Sequence, residues 1–234
     1  MGPIPITRSK SDRNVHKMTV TNQKDQIVSS LKSVVRIFQD CGANYRIIGS
    51  ILLVAHTGNI FRTIHDIDIL LDKKDKNNVF KQLKENGFTL VEQNKVGFHY
   101  IEANKEGLLT LTFMLIGDFT QRYFSWHFSG TFELRIRNNY LKSTKYRFER
   151  IEFVGIPISS AIAGIKMSFL NPKRKLDREV LGQEFSQYDV NLYDNIVVYF
   201  MGIKLPFLYD VFSFLYNIYG GLRVILGKRY EIWD

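Results

Sequence analysis

The chain has one cysteine, Cys41, in 234 residues. That excludes an intramolecular disulfide and a cysteine-rich zinc site, and it points to a reducing compartment, read here as the cytoplasm. The five histidines are scattered, with no His-x-x-x-His pair. His56 and His65 are therefore read as ordinary side chains and not as metal ligands. No Gly-x-Ser-x-Gly elbow surrounds Ser50, which argues against a nucleophilic serine. Apolar runs long enough to span a bilayer are also lacking, since Lys204, Pro206 and Asp210 interrupt the only aromatic-rich stretch of any length. The first residues, MGPIPITRSKSDRNVHKM, are polar and basic without the apolar core of a signal peptide, so residues 1–22 are expected to be a flexible basic tail. Internal repeats and low-complexity tracts are missing as well.

What remains is an ordinary globular composition, 45% hydrophobic and 24% charged, with a net charge of +9. The positive balance favours polyanionic partners such as nucleotides, nucleic acid or an acidic membrane surface, without choosing among them.

From Gln23 to Gln39 the apolar residues Ile27, Val28, Leu31, Val34, Val35, Ile37 and Phe38 recur at helical spacing, which predicts an amphipathic helix ending near Gly42. Arg46-Ile47-Ile48 reads as a strand, and Gly49-Ser50 opens a second helix that stops at Thr57-Gly58-Asn59. A strand over Asp66–Leu71 and a charged helix over Lys74–Asn86 follow. Further strands are predicted at Thr89–Glu92, Gly97–Glu102, Leu108–Leu115, Thr131–Arg137 and Tyr146–Val154. After Ser159 the pattern turns helical: Ser159–Leu170, Lys173 to about Gly182, and two more helices between Tyr188 and Tyr219. The expected organisation is an α/β core over residues 23–157 and a helical region over 158–234 packed on it.

The chemistry gathers between Tyr45 and Asp72, YRIIGSILLVAHTGNIFRTIHDIDILLD. Asp66 and Asp68 are two apart on a strand and so share one face. Their carboxylates repel unless a cation offsets them. Oxygen ligands suit Mg2+, or Mn2+, which takes one or two carboxylates plus substrate phosphates.

The order helix, strand, Gly-Ser, helix, Asp-x-Asp strand resembles the nucleotidyltransferase superfamily, the polymerase-β-like core that includes antibiotic-modifying adenylyltransferases and toxin-type enzymes of the AbiEii kind. The resemblance covers roughly residues 24–115 and, more faintly, 159–181. Arg62, four residues before Asp66, matches an arginine of the AbiEii-like branch, to which the chain looks nearest. The resemblance implies an α/β mixed sheet with flanking helices. It also implies Mg-dependent transfer of a nucleoside monophosphate from an NTP to an acceptor hydroxyl on RNA, protein or a small molecule. On that reading Gly49 and Ser50 hold phosphates, Asp66 and Asp68 hold metal and are the catalytic pair, and Arg62 and Lys166 are further nucleotide contacts, with Asp177 orienting Lys166 or Arg174.

Fifteen residues separate Ser50 from Asp66, a slightly longer loop than the family's, and Thr63 stands one place from the family's small hydroxyl residue. The third carboxylate of active members falls in Leu108–Leu115, where this chain has Thr110 and Thr112, with Glu106 and Asp118 to either side. A second reading follows: a nucleotide- or nucleic-acid-binding module without turnover.

Two surfaces remain. Arg135, Arg137, Lys142, Lys145, Arg147 and Arg150, interleaved with Phe132, Tyr140, Tyr146 and Phe148, form either a phosphate-tracking stripe that receives an RNA acceptor over 133–150 or the wet face of a hairpin. The tail over 188–234, including Phe207, Phe212, Phe214, Tyr216, Tyr219 and Trp233, packs on the core or meets a partner or a membrane interface.

Overall fold

The computed structural model describes residues 10–95, 98–117, 119, 122–128, 132–167, 171–187, 196–205 and 208–226. The first helix, α1 (Lys10–Cys41), runs through the predicted 23–39 segment and starts well before it. Its buried stripe is Ile27, Leu31, Val34, Val35 and Phe38. Gly42, with φ of 60°, takes the left-handed turn that ends it, and Ala43 donates to the Phe38 carbonyl at 2.9 Å.

Then come β1 (Tyr45–Ile48), α2 (Ser50–Thr57), β2 (Asp66–Asp72), α3 (Lys76–Glu85), β3 (Thr89–Lys95), β4 (Phe98–Asn104) and β5 (Thr110–Ile116). After these the chain forms β6 (Tyr123–Phe128), β7 (Phe132–Arg137), β8 (Thr144–Phe148), β9 (Ile151–Gly155), α4 (Ile158–Met167) and α5 (Pro172–Gln187). It closes with β10 (Ile196–Phe200), β11 (Ile203–Leu205) and α6 (Leu208–Ile225).

Seven strands make a mixed sheet in the order β3-β4-β5-β2-β1-β9-β8. β2 runs parallel to β5 and antiparallel to β1. This is the α/β mixed sheet with flanking helices that the sequence predicts. One face is apolar throughout: Ile47, Ile67, Ile69, Leu71, Leu111, Phe113, Ile101 and Ala103 are buried there. α1 and α3 pack on it through Phe38 and Phe80, whose rings meet Phe113 edge-on at 6.3 and 5.3 Å. Ser30, fully buried in α1, ties this layer to the sheet, because its Oγ accepts from the Leu109 amide at 2.8 Å and donates to the Gln26 carbonyl at 2.7 Å.

Three expectations change. The segment 146–154 is not one strand but the hairpin β8–β9, which turns at Glu149, a non-glycine residue at φ 54°. The strand β6 has no counterpart in the sequence reading. Among the described residues between Tyr188 and Tyr219, where helices were expected, Ile196–Phe200 is a β-branched and aromatic run that Met201-Gly202, both at positive φ, turn back into β11, and the helix α6 begins after it. The strands β11-β10-β7-β6 form a second sheet.

That second sheet also undoes the basic stripe. Arg135 and Arg137 lie on β7, whereas Lys145 and Arg147 lie on β8 of the seven-stranded sheet. Arg135 is bound bidentately to Glu133 at 2.7 and 3.1 Å and stacks on Tyr199. Arg147 donates to the Glu149 carbonyl. The two strands are thus not neighbours, and the expected track for an RNA acceptor over 133–150 is not supported. Of the tail residues, Phe207 and Trp233 lie outside the described residues, as do Asp118 and the side chains of Phe212 and Tyr216. Among the described residues no helix is long and apolar enough to cross a membrane.

Candidate active site

The face of the sheet opposite α1 and α3 is polar at one end. Asp68 on β2 stands opposite Ile48 of β1 and opposite Thr112 of β5, and Thr112 in turn stands opposite Glu102 of β4. One step along, Asp66 stands opposite Thr110. Paired positions project to the same side, so Asp66, Asp68, Thr110, Thr112 and Glu102 share this face. All five are half-buried, in contrast to the closed apolar face behind them.

The β1–α2 turn sits against this pair. Gly49 has φ 71° and ψ −145°, a combination nearly confined to glycine. A Cβ built on Gly49 would lie 2.5 Å from Oδ2 of Asp68. Glycine is therefore required twice, once by the backbone and once by the carboxylate against it. Ser50 follows as the first residue of α2 and is 8% exposed. The turn presents the N-terminal amides of α2 next to the carboxylate pair, so anion-binding amides and cation-binding oxygens are side by side. Carboxylate oxygens beside helix-terminal amides suit a divalent cation that carries phosphate oxygens, and Asp66 and Asp68 are the residues that would hold it. Among the described residues no group of three His, Cys, Asp or Glu side chains is placed to hold a metal by itself.

The loop from Gly58 to His65 carries the chain into Asp66 and is fastened along its length. Gln23 of α1 donates to the Ile64 carbonyl at 3.0 Å, and the Thr110 amide donates to the His65 carbonyl at 3.2 Å. Arg62 is held at its Nε by Oδ1 of Asp177 at 3.1 Å, and Arg174 donates to Oδ2 of the same carboxylate at 2.9 Å. Asp177 is fully buried. It does not orient Lys166; it binds Arg62 and Arg174 together and fastens α5 to the loop. His56, at the end of α2, adds a second tie to α5, with Nε2 at 2.9 and 2.8 Å from the two oxygens of Glu184.

The structure thus brings together Gly49, Ser50, Asp66 and Asp68. It commits Arg62 to a buried ion pair, and it sets the Lys166 ammonium over the ring of Phe185 at 5.3 Å. Sequence reasoning missed Glu102. Its signal was available only in the strand pairing, because nothing local distinguishes a glutamate in FHYIEAN from a surface residue.

A model of the aminoglycoside-2''-adenylyltransferase family matches residues 30–133, the segment that contains all of these strands and the turn. Among solved structures, the chain is similar to the lincosamide antibiotic adenylyltransferase LnuA with lincomycin bound. The TM-score is 0.55 at 15% identity, over 68% of this chain and 96% of that one. It is also similar to the antibiotic-resistance factor ANT(2'')-Ia, with a TM-score of 0.51 at 11% identity over 70% of this chain and 88% of that one. At such identities the structures establish a shared fold. No curated protein matches the chain by sequence. These relatives are antibiotic adenylyltransferases, and the expected AbiEii branch is not shown by them.

Proposed function

We propose that this chain is a nucleotidyltransferase that transfers AMP from ATP to a hydroxyl of a small-molecule acceptor, a reading that the family match and the shared fold support. The observation that carries this reading is the contact between Gly49 and Asp68. It sets phosphate-binding amides within one residue of a paired carboxylate, which is what a metal-bound triphosphate requires. Gly49 and Ser50 bind the β- and γ-phosphates, and Asp66 and Asp68 hold the metal that neutralises charge on the triphosphate. The acceptor oxygen attacks the α-phosphorus, the bond to the bridging oxygen breaks, and pyrophosphate leaves. Arg62, kept rigid by Asp177, and Lys166 are further positive groups on the nucleotide's side of the site. Residues 23–157 carry the transfer core, and α4 and α5 in the following region close one wall.

The family match supports adenylyl transfer over transfer of other nucleotides. A small acceptor is favoured over RNA because the two halves of the basic stripe lie in different sheets. The alternative, nucleotide binding without turnover, draws on Thr112, which stands beside Asp68 where active members have a third carboxylate.

The test is a thermal-shift titration with ATP, GTP, CTP and UTP, with and without Mg2+, on the wild type and an Asp66→Asn/Asp68→Asn double variant. At a hundredfold excess over Kd, binding adds about 2.7 kcal/mol. Stabilisation by ATP that needs both Mg2+ and the aspartates is the expected result. A shift indifferent to the aspartates sinks the assignment. Pyrophosphate release on adding lincomycin or an aminoglycoside separates transfer from binding alone.

A further inference from the structure

We propose that the open sheet surface over β5 and β4 receives the acceptor, and that Glu102 takes the proton of the hydroxyl being adenylylated. The inference rests on the transfer reading above and names the group which that reading leaves out.

An acceptor hydroxyl gives up its proton as its oxygen bonds to phosphorus, and a nearby base speeds that step. Asp66 and Asp68 are poor candidates, because on that reading their negative charge would be spent on the cation they hold. The remaining side chains at the open end of this face are Ile48, Thr110, Thr112, Asn104 and Glu102. Of these only Glu102 is a base. It is reached by the unbroken row Asp68, Thr112, Glu102 across three adjacent strands. Its Cα is two strand spacings from that of Asp68, about 10 Å. That interval, with Thr112 in its middle, gives room for a hydroxyl and a phosphoryl group between the two strand positions.

The turn at Gly49 puts the triphosphate on the β1 side of Asp68. The acceptor must therefore approach from the other side, in line with the departing pyrophosphate, and that side is β5 and β4. The surface there suits a hydroxylated molecule: Thr112, then Thr110, whose Oγ1 donates to Oδ1 of Asn104 at 2.8 Å. Gln93 on β3, the strand on the far side of β4 from Asp68, donates to Oε2 of Glu102 at 3.3 Å, which leaves Oε1 to take the proton. In the balanced step the acceptor O–H bond breaks, its proton passes to the Glu102 carboxylate, the new O–P bond forms, and pyrophosphate carries away the electron pair of the broken P–O bond.

The experiment compares wild type, Glu102→Gln and Glu102→Asp, using MgATP with lincomycin or an aminoglycoside as acceptor probes and reading pyrophosphate release across pH. Glu102→Gln is expected to lower kcat about 100-fold or more and to abolish the acid limb of the kcat/KM profile. Its MgATP-dependent thermal shift should match the wild type, and Glu102→Asp should recover part of the rate. A Gln variant with kcat within threefold of wild type, or with an unchanged acid limb, overturns the assignment. So does a wild type that binds MgATP but releases no pyrophosphate with either probe or with water. A wild type that MgATP does not stabilise fails at the earlier step and refutes the nucleotide site itself.

Discussion

Gly49 has no tolerance for a side chain. Replacing it with alanine introduces a Cβ 2.5 Å from Oδ2 of Asp68 at a backbone conformation that L-residues avoid. The strain is about 1–3 kcal/mol, and it is relieved by moving Asp68. We expect Gly49→Ala to remain folded, with a modest loss of thermal stability, and to lose MgATP-dependent stabilisation almost completely. Preserved nucleotide affinity in that variant refutes the apposition. Tyr140 offers a different residue-scale test. Its hydroxyl donates to the Ser160 carbonyl at 2.7 Å, and burial pushes its pKa well above the usual value. Burial raises the Tyr45 phenol as well. A raised folded-state pKa gives stability that is fully present below the unfolded pKa, about 10 for tyrosine. It is lost as pH rises from there through the folded pKa, because the unfolded chain releases protons first. Thermal stability should therefore fall above about pH 10, and Tyr140→Phe should lessen that slope while costing about 1 kcal/mol at neutral pH.

At the scale of elements, α5 is fastened to the loop before β2 by charge. Asp177 is fully buried between Arg62 and Arg174. Asp177→Ala leaves two guanidinium groups facing each other in a poorly solvated place, at a cost of about 3–5 kcal/mol. The melting temperature should fall by roughly 6–20 °C, given about 2–4 °C per kcal/mol for a chain of this length. The triple replacement Arg62→Met/Arg174→Met/Asp177→Leu, which removes all three charges, should recover much of that loss. If it also keeps MgATP affinity, Arg62 acts by holding the loop and not by touching phosphate.

This scale also shows where the sequence is readable. The Asp-x-Asp strand, the Gly-Ser turn and α1 are written in local periodicity and turn chemistry. The β10–β11 hairpin was missed because an apolar run of five residues looks alike in a strand and in a buried helix. The partner of Arg62 lies 115 residues away, and the row from Asp68 to Glu102 crosses three strands. Neither relation has a local signature. The pairing of strands creates both.

For the whole molecule, the unevenness of burial is informative. The seven-stranded sheet has a closed apolar face. On α6, by contrast, Phe214, Ile218, Tyr219, Leu222 and Ile225 are exposed, at 41% to 81%. Side chains so open contribute little to folding. Ile225→Lys should change stability by no more than about 0.5 kcal/mol while improving solubility. A loss several times larger in urea denaturation would mean that this helix is covered. The net charge of +9 carries a matching expectation: MgATP should bind more weakly as salt rises, with much of the loss appearing in the association rate.

The parallel partnership of β2 and β5 also sets an order of assembly during synthesis. Asp68 acquires its Thr112 neighbour, and Ser30 of α1 its Leu109 amide, only after a segment that leaves the ribosome some forty to eighty residues later. β9, which flanks β1, comes later still. A nascent chain that has released both aspartates and the glycine turn therefore holds every residue of the phosphate end of the site without a sheet to mount them on. The site is therefore mounted late, because the contacts that hold it join segments far apart in sequence and such closures are slow.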